Sequence, residues 1–301
     1  MHLLSFSRGQ VSALEAGGMT HKPGVMTGTD TEEAAVAGLP NFDQPPVVEV
    51  ACGVKFRKVP ELNGIRLAPL YDLWKSDLPV IEEQATLPST EAASGSSGPT
   101  IRIDFPSLRE IRYWFLSEDA KDLVQLQPDR LIVNWRGQGD GVDYPRFGYI
   151  LKTLTQRATE LSSFVEEHFR TKLEFLHVEL SYINSLHTDG TSRWDLGDIF
   201  HTWPDFATHH LGRPENSQIA FDFPIESAST GIDFFLRVSI EPGVIGNGTP
   251  GTFLTMTAQG KPAETSIEGV VDSIKEAHDH LVRSFAEITT EAAHERWGKR
   301  S

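Results

Sequence analysis

The sequence predicts an α+β protein made of two similar modules, each with an antiparallel sheet and a long helix. Two segments carry the prediction: VVEVACGVKF (47–56) and LHVELSYINSL (176–186) share the same alternation of apolar residues. Val48-Glu49-Val50 falls on Val178-Glu179-Leu180 when they are aligned. Each segment opens a series that runs strand, short helix, three or four strands, long helix. We therefore expect an internal duplication of one module.

The composition along the chain indicates where each of the two modules begins and ends. Residues 1–43 show no sustained hydrophobic periodicity and are predicted to be a disordered tail. The first module then covers residues 44–170, and the second covers residues 171–301. Within the first, residues 85–99 are rich in Ser, Ala and Gly, which predicts a mobile loop.

The first module opens with a segment in which apolar and polar residues alternate strictly. This pattern predicts a strand with one buried side, because successive side chains of a strand point to opposite faces. The apolar side of this strand is Val48, Val50, Cys52, Val54 and Phe56, and the polar side includes Glu49 and Lys55. A short helix limited by Pro69 follows, with an apolar side of Ile65, Leu67, Leu70, Leu73 and Trp74. Strands are predicted at 100–105 and 111–117, then a hairpin at 122–135 that turns at Pro128-Asp129, then a long amphipathic helix at 144–170.

The second module repeats this order. Its opening strand, 173–184, places Leu176, Val178, Leu180 and Tyr182 on one side. A short helix at 194–206, three strands at 218–224, 232–242 and 252–259, and a long helix at 265–298 follow. Thr265 and Glu268 have the spacing of a capping box at the start of that helix.

This element order is that of helix-grip and TATA-binding-protein-like modules, in which a curved antiparallel sheet holds a long helix. The likeness concerns topology, which does not determine function.

Three stretches together resemble a known family: PPVVEVACGVKF near the start, LSYIN in the middle, and the final helix that ends in Trp297-Gly298. They are similar to a sporadically distributed bacterial family of uncharacterised proteins, over about residues 44–298. The chain has Ser181 where that family usually has an arginine, which weakens any role assigned to that position. The resemblance implies an accessory gene, of the kind found in defence-linked or toxin-linked loci, and implies no particular activity.

The net charge and the cysteine content indicate which partners and which cellular compartment to expect. The formal net charge is −15, from 42 acidic and 27 basic residues, which disfavours nucleic acid and anionic lipid as partners. The single cysteine excludes an internal disulfide and fits a reducing compartment. The sequence has no apolar run of membrane-spanning length and no recognisable signal peptide, so we expect a cytoplasmic protein.

His177 and Glu179 are the strongest candidates for catalysis. They lie two residues apart on a predicted strand, so both project from the side opposite Val178. A histidine beside a carboxylate is the minimum for general acid–base chemistry. If the strands pair as predicted, the same polar face includes Glu49, Arg237, Ser239, Thr255 and Thr257. A solvated or covered face without catalytic function is the competing interpretation. We also expect Glu49 or Glu179 to contact an arginine or lysine, because an unpaired buried carboxylate is costly.

The other motifs predict structure rather than chemistry. GNGTPG (246–251) matches the dinucleotide fingerprint, but a strand follows it where the fingerprint requires a helix. The histidines of HTWPDFATHHLG (201–212) have no acidic or cysteine residues at a spacing that would complete a metal site. His278 lies on the apolar side of its predicted helix, and Cys52 lies on the apolar side of its predicted strand. One short basic and aromatic patch contains Arg109, Arg112, Tyr113 and Trp114. We therefore predict no metal and no cofactor.

Two functions remain open at the level of sequence. The first is a non-catalytic binding or regulatory protein that acts through a protein partner. The alternative is a small-molecule-binding protein or hydrolase-type enzyme that uses the cleft between sheet and long helix. Its polar lining is predicted to be His177, Glu179, Tyr182 and Asn184.

Overall fold

The fold is mixed α+β, as the sequence predicts. The computed structural model describes residues 38–88, 110–137, 143–186, 197, 199–201, 210, 218–226, 233–244 and 250–300. In these ranges the chain has four α-helices, a nine-stranded antiparallel sheet and a two-stranded sheet. The tail up to residue 37, the strand at 100–105, residues 89–99 of the loop and most of the helix at 194–206 lie outside the described residues.

The elements are numbered in chain order. The strands are β1 (Asn41–Phe42), β2 (Val47–Phe56), β3 (Val80–Ala85), β4 (Ile111–Leu116), β5 (Asp122–Gln127), β6 (Arg130–Arg136), β7 (Phe175–Leu186), β8 (Ile219–Glu226), β9 (Asp233–Val244), β10 (Pro250–Gly260) and β11 (Lys299–Arg300). The helices are α1 (Ala68–Trp74), α2 (Arg146–Phe169), α3 (Ile267–Ile288) and α4 (Glu291–Arg296), and a 3-10 turn, Gly64–Leu67, precedes α1.

The two predicted modules share one sheet, because their opening strands pair with each other. The strand order is β3-β4-β5-β6-β2-β7-β10-β9-β8. Outward from the central β2–β7 pair, the order is β6, β5, β4 on one side and β10, β9, β8 on the other. Ala51 is paired with Ser181 in the centre, and Glu49 and Glu179 each lie two residues before that pair. The two glutamates are thus placed symmetrically about the middle of the sheet.

The helices that contact the sheet pack on one of its faces. α2 lies on β2 and β6, α3 lies on β7 and β10, and the two helices contact each other. We call this side the helix face and the other side the polar face. The buried sheet residues of the helix face include Val50, Cys52, Val54, Val124, Leu126, Leu131, Val133, Trp135, Val178, Leu180, Val238, Leu254, Met256 and Ala258. None of the helices among the described residues combines the length and hydrophobicity that a bilayer crossing requires.

One inward residue of the seventh strand was predicted wrongly. Leu176 was expected on the apolar side, but it is exposed, and Phe175 is buried in its place. The cause is a register shift between β2 and β7: Lys55 pairs with His177, whereas Phe56 pairs with Phe175, so Leu176 is an extra residue on β7. A bulge inserts one extra residue, which reverses the faces of the residues that precede it.

The short helix after β2 is present, but fewer of its apolar residues are buried than the sequence predicts. Leu70 and Trp74, four residues apart, are fully buried, whereas Ile65 and Leu73 are exposed. A helix of seven residues has room for one such contact line. Trp74 Nε1 also donates a hydrogen bond to Glu160 Oε2 at 2.7 Å, which anchors α1 to α2.

The edge strand β3 was not predicted. Its sequence, VIEEQA, is exposed at five of its six positions, and among the described residues it pairs only with β4. A strand at a sheet edge with little buried surface carries no alternation of apolar and polar residues, which is the signal that sequence analysis uses. Charged residues on such an edge also hinder pairing with other chains.

The final helix is two helices rather than one. α3 ends at Ile288, Thr289 has extended backbone angles (φ −102°, ψ 151°), and Thr290 caps α4. The predicted capping box is also wrong: Ser266 is the N-cap, and its side chain accepts a hydrogen bond from the backbone N–H of Gly269. The amphipathic pattern of α3 is otherwise as predicted, with Val270 and Ile274 buried.

The end of the predicted tail belongs to the fold. Asn41 and Phe42 pair with Arg300 and Lys299 in the two-stranded sheet. Phe42 is buried, 5.5 Å from Phe285 between ring centroids. The folded chain therefore begins before residue 44.

Candidate functional site

The polar face brings together the residues that were expected to share it. Thr255 and Thr257 of β10 pair with Ser239 and Arg237 of β9, all on this face. Glu49 of β2 is on the same face, since it pairs with Ile183, which in turn pairs with Thr255. The strand pairing predicted from alternation is therefore confirmed here.

His177 and Glu179 lie together on this face. They border a cavity of about 10 Å³ in the centre of the sheet. The cavity is lined by Gly53, Val54, Lys55, Arg130, Ile132, His177, Val178, Glu179 and Gln259. A cavity of this size has room for about one water molecule. Gly53 is required here, because a Cβ at this position would lie 2.9 Å from Cγ1 of Ile132.

Two opposing effects act on the pKa of the Glu179 carboxyl. Burial raises its pKa above the ordinary value, and the positive charges of Arg130 and Lys55 act in the opposite direction. A carboxyl whose pKa is raised by desolvation can act as a general acid or base. The adjacent cavity, however, accommodates a water molecule and not a substrate.

Tyr182 and Asn184 do not join this pair. Both lie on the helix face, where the Tyr182 and Tyr144 hydroxyls are 3.0 Å apart. Asn184 Nδ2 donates a hydrogen bond to the backbone carbonyl of Leu254 at 3.1 Å. The four residues predicted to line one cleft are therefore divided between the two faces, because their even and odd positions on β7 point in opposite directions.

A chain of hydrogen bonds crosses four strands of the polar face. Trp114 Nε1 donates to Gln125 Oε1 at 3.1 Å, and Gln125 Nε2 donates to Asn134 Oδ1 at 2.7 Å. Asn134 Nδ2 then donates to Glu49 Oε1, also at 2.7 Å. We call these four residues the polar relay. The relay consists of buried or partly buried groups that satisfy one another, which fixes their orientation.

Glu49 ends the polar relay in an ion pair. Its Oε1 lies 3.6 Å from Arg136 Nε, so the predicted basic partner of an opening-strand glutamate is confirmed. Burial nevertheless raises the pKa of Glu49, while Arg136 and the hydrogen bond from Asn134 act in the opposite direction. Desolvation of the carboxylate thus outweighs the contacts that it makes.

Three arginines surround the polar relay. Arg112 Nη1 donates to Gln125 Oε1 at 3.0 Å, and Arg130 donates to the backbone carbonyl of Pro88 at 3.4 Å. The guanidinium carbons of Arg112 and Arg136 lie 5.4 and 5.0 Å from the centroid of the Trp114 ring. Burial lowers the pKa of Arg112, and the like charges of Arg130 and Arg136 lower it further.

The Nε atoms of these arginines make no hydrogen bond. In the part of the chain that the structure describes, Nε of Arg112, Arg130 and Arg136 is buried and makes no hydrogen bond, although that of Arg136 faces the Glu49 carboxylate at 3.6 Å. Most buried side-chain donors in proteins are satisfied, so the Nε atoms of Arg112 and Arg130 are unusual. We call these three residues the arginine cluster.

Only one member of the arginine cluster, Arg112, was identified from the sequence. Arg112 belonged to the short basic and aromatic patch, whose Arg109 lies outside the described residues and whose Tyr113 lies on the helix face. Arg130 and Arg136 were missed. The signal was present, because both occupy the positions that alternate with Leu131, Val133 and Trp135 on β6.

The remaining candidates have structural surroundings. Cys52 is fully buried, and burial raises the pKa of its thiol. His278 is partly buried, with its ring 3.9 Å from that of Phe147. Among the described residues, no group of three His, Cys, Asp or Glu side chains is placed to hold a metal ion. His209 and most of GNGTPG lie outside those residues.

Comparison with known proteins gives no relative: no family model matches the chain, and no curated protein matches it.

Proposed function

We propose that this protein is a non-catalytic binding or regulatory protein, and that the polar face of its nine-stranded sheet receives a protein partner. The observation that carries the proposal is the polar face itself. It places oriented hydrogen-bonding groups and the arginine cluster on a side that no described helix packs against. Preorganised polar groups of this kind suit recognition of another molecule.

The geometry around His177 and Glu179 favours binding over catalysis. The cavity beside them has room for about one water molecule, whereas ligand pockets usually enclose about 300–1,000 Å³. The alternative, a small-molecule-binding protein or enzyme with a site between sheet and helix, needs Tyr182 and Asn184 as free polar lining. Both make hydrogen bonds within the helix face instead.

We also infer that the chain is an internal duplication of a helix-grip or TATA-binding-protein-like module. The matching strand order on the two sides of the β2–β7 pair supports this inference, as does the symmetric placement of Glu49 and Glu179. The resemblance to the sporadically distributed bacterial family, and with it an accessory role, is likewise a proposal. The single cysteine supports a cytoplasmic location.

The proposal is tested by affinity capture from the native host with two matched variants. Thr255→Trp introduces a large side chain in the middle of the polar face, and Thr159→Trp introduces the same side chain on the exposed surface of α2. We expect a partner captured by the wild type to be retained by Thr159→Trp and lost with Thr255→Trp. Circular dichroism and thermal unfolding confirm that both variants fold.

The opposite pattern, loss with Thr159→Trp and retention with Thr255→Trp, would place the partner on the helices and refute the proposal. Conversion of a small molecule by the wild type that Glu179→Gln abolishes without loss of stability would favour the enzyme alternative.

A further inference from the structure

We propose that β8 is a self-association surface, at which the β8 strand of a second copy of this chain pairs with it in the antiparallel direction. The inference goes beyond the proposed function, because it concerns an edge of the sheet and not the polar face. The pairing joins two nine-stranded sheets into one. Residues opposite each other in such a pair lie on the same face, so both polar faces lie on one side of the joined sheet.

The outer side of β8 is open. It is the last strand of the sheet, and among the described residues it pairs only with β9. Residues 220–224 are all exposed. Phe221 and Phe223 project from the helix face, since they pair with the buried Val238 and Leu236. Their rings lie 6.1 Å apart, and the two residues are 41% and 43% exposed. An edge strand with adjacent exposed aromatic side chains favours pairing with another strand.

The two edges of the sheet differ in charge. β3 carries two consecutive glutamates, Glu82 and Glu83, and like charges on an edge strand hinder pairing with a copy of itself. On β8 the only charged residue from Ile219 to Ile225 is Asp222. Both oxygens of its carboxylate accept hydrogen bonds from Arg237 of β9 at 2.7 Å, which balances its charge. β8 therefore presents an apolar edge without net charge.

The sequence of β8 favours a second copy as the partner. Residues 219–225 read Ile-Ala-Phe-Asp-Phe-Pro-Ile, and this order is the same in both directions except for the alanine and the proline. We call these seven residues the edge motif. A two-fold axis that passes through an antiparallel pair at Asp222 places Phe221 opposite Phe223 of the second copy, and it places isoleucine opposite isoleucine. The edge motif is thus complementary to itself.

The side chains opposite each other in this register suit a strand pair. The phenylalanine contact occurs twice because of the symmetry, and aromatic side chains directly opposite each other stabilise antiparallel strands. The two copies of Asp222 also lie opposite each other, where unpaired carboxylates would repel. Because Arg237 is bonded to each of them, two neutral ion pairs meet at the axis instead.

Pro224 limits the strength of the pair but does not prevent it. Proline is tolerated on an edge strand when its nitrogen points away from the neighbouring strand. The backbone groups of Ala220, Asp222 and Pro224 then all point outward, since alternate residues of a strand face the same neighbour. Asp222 exchanges two hydrogen bonds with its copy, and Ala220 donates one to the carbonyl of Pro224 in the second copy. One hydrogen bond is missing at each proline. One strand from each copy is also a small contact, so we expect a reversible dimer and not an obligate one.

Sedimentation velocity over a series of protein concentrations tests the inference, with two double variants of opposite charge. In Phe221→Lys/Phe223→Lys and in Phe221→Glu/Phe223→Glu, like charges lie opposite each other, so each variant alone should dimerise at least about tenfold more weakly than the wild type. In an equimolar mixture each lysine faces a glutamate, and a dimer should form again. The control is Val80→Glu/Ile81→Glu, which adds the same charges to exposed apolar residues of the opposite edge strand. It should dimerise like the wild type.

The register is tested by oxidation of Asp222→Cys. The Cα atoms of two residues that exchange hydrogen bonds across antiparallel strands lie about 5.5 Å apart, which a disulfide can span. Cys52, the single natural cysteine, is fully buried, so the new thiol is the accessible one. We expect a disulfide-linked dimer from Asp222→Cys and none from Glu82→Cys, a control on the exposed edge of β3.

Three outcomes overturn the inference. A wild type that sediments as a monomer at every concentration up to its solubility limit would show that β8 does not pair with a copy of itself. Association that the Val80→Glu/Ile81→Glu variant loses and both phenylalanine variants retain would place the contact at β3. A mixture of the lysine and glutamate variants that stays monomeric would show that these phenylalanines do not face each other. A monomeric wild type that still captures a partner through the polar face leaves the proposed function intact, so the two failures are distinguishable.

Discussion

Replacement of Gln125 by methionine should remove the centre of the polar relay while leaving the volume of the side chain nearly unchanged. Gln125 is buried, and its amide makes three hydrogen bonds: it accepts from Arg112 and Trp114 and donates to Asn134. A bond to a charged group contributes about 1.5–3 kcal/mol and a neutral one about 1 kcal/mol. Arg112 and Trp114 are only partly buried and regain some hydration. We therefore expect a loss of about 2–4 kcal/mol of unfolding free energy.

Urea denaturation followed by circular dichroism measures this loss, with the m-value held as a check that the unfolded states are alike. The control is Gln84→Met, the same substitution on the polar face of β3, where, within the described ranges, the Gln84 side chain bonds only to the exposed Glu82. It should change stability by less than about 0.5 kcal/mol. A Gln125→Met variant as stable as the control would refute the view that the polar relay is satisfied and buried.

Two further predictions concern pH. Burial raises the pKa of Glu49 above 4.5, so the folded protein favours the protonated carboxyl. The stability that the protonated carboxyl contributes is present below pH 4.5 and is lost as the pH rises. The free energy of unfolding of Glu49→Gln should therefore increase relative to that of the wild type as the pH is raised from about 4 to 7. A difference between the two proteins that does not change with pH would contradict this reasoning. His294 is buried, with Nε2 2.8 Å from Thr289 Oγ1, and burial lowers its pKa below 6.5. Its contribution is present above pH 6.5 and is lost as pH falls, so His294→Gln should flatten the decline in melting temperature below that pH; an unchanged slope would contradict it.

The elements with strong periodicity could be predicted from the sequence. β2 alternates from Glu49 to Phe56, and α2 has an apolar stripe over six turns, so the buried sides of both follow from spacing alone. At the start of β2 a register shift places Val47, and not the predicted Val48, against the core. The shared polar face of Glu49 and Thr255 followed from the same alternation. Features that depend on one residue or on few buried contacts could not be predicted. Leu176 is exposed because of a single bulge, and β3 buries too little surface to produce a pattern.

The candidate site was predicted only in part, for a different reason. Side-chain direction along one strand is a local property, so the common face of His177 and Glu179 could be read from their spacing. The arginine cluster depends on which strands are neighbours and in which register they pair, since Arg136 of β6 is brought to Trp114 of β4 across β5. Strand order is not encoded in the spacing of any one segment. The lack of an acceptor for Arg130 Nε is a property of the folded packing alone.

The central claim is that the partner contacts the polar face, and site-specific photo-crosslinking tests it most directly. A photoreactive residue is placed at Gln84, on the polar face of the edge strand, or at Lys152, on the exposed side of α2. These two variants are irradiated with the partner identified by affinity capture. We predict a covalent product from position 84 and none from position 152. A product from position 152 alone would show that the partner binds the helices, and it would contradict the account.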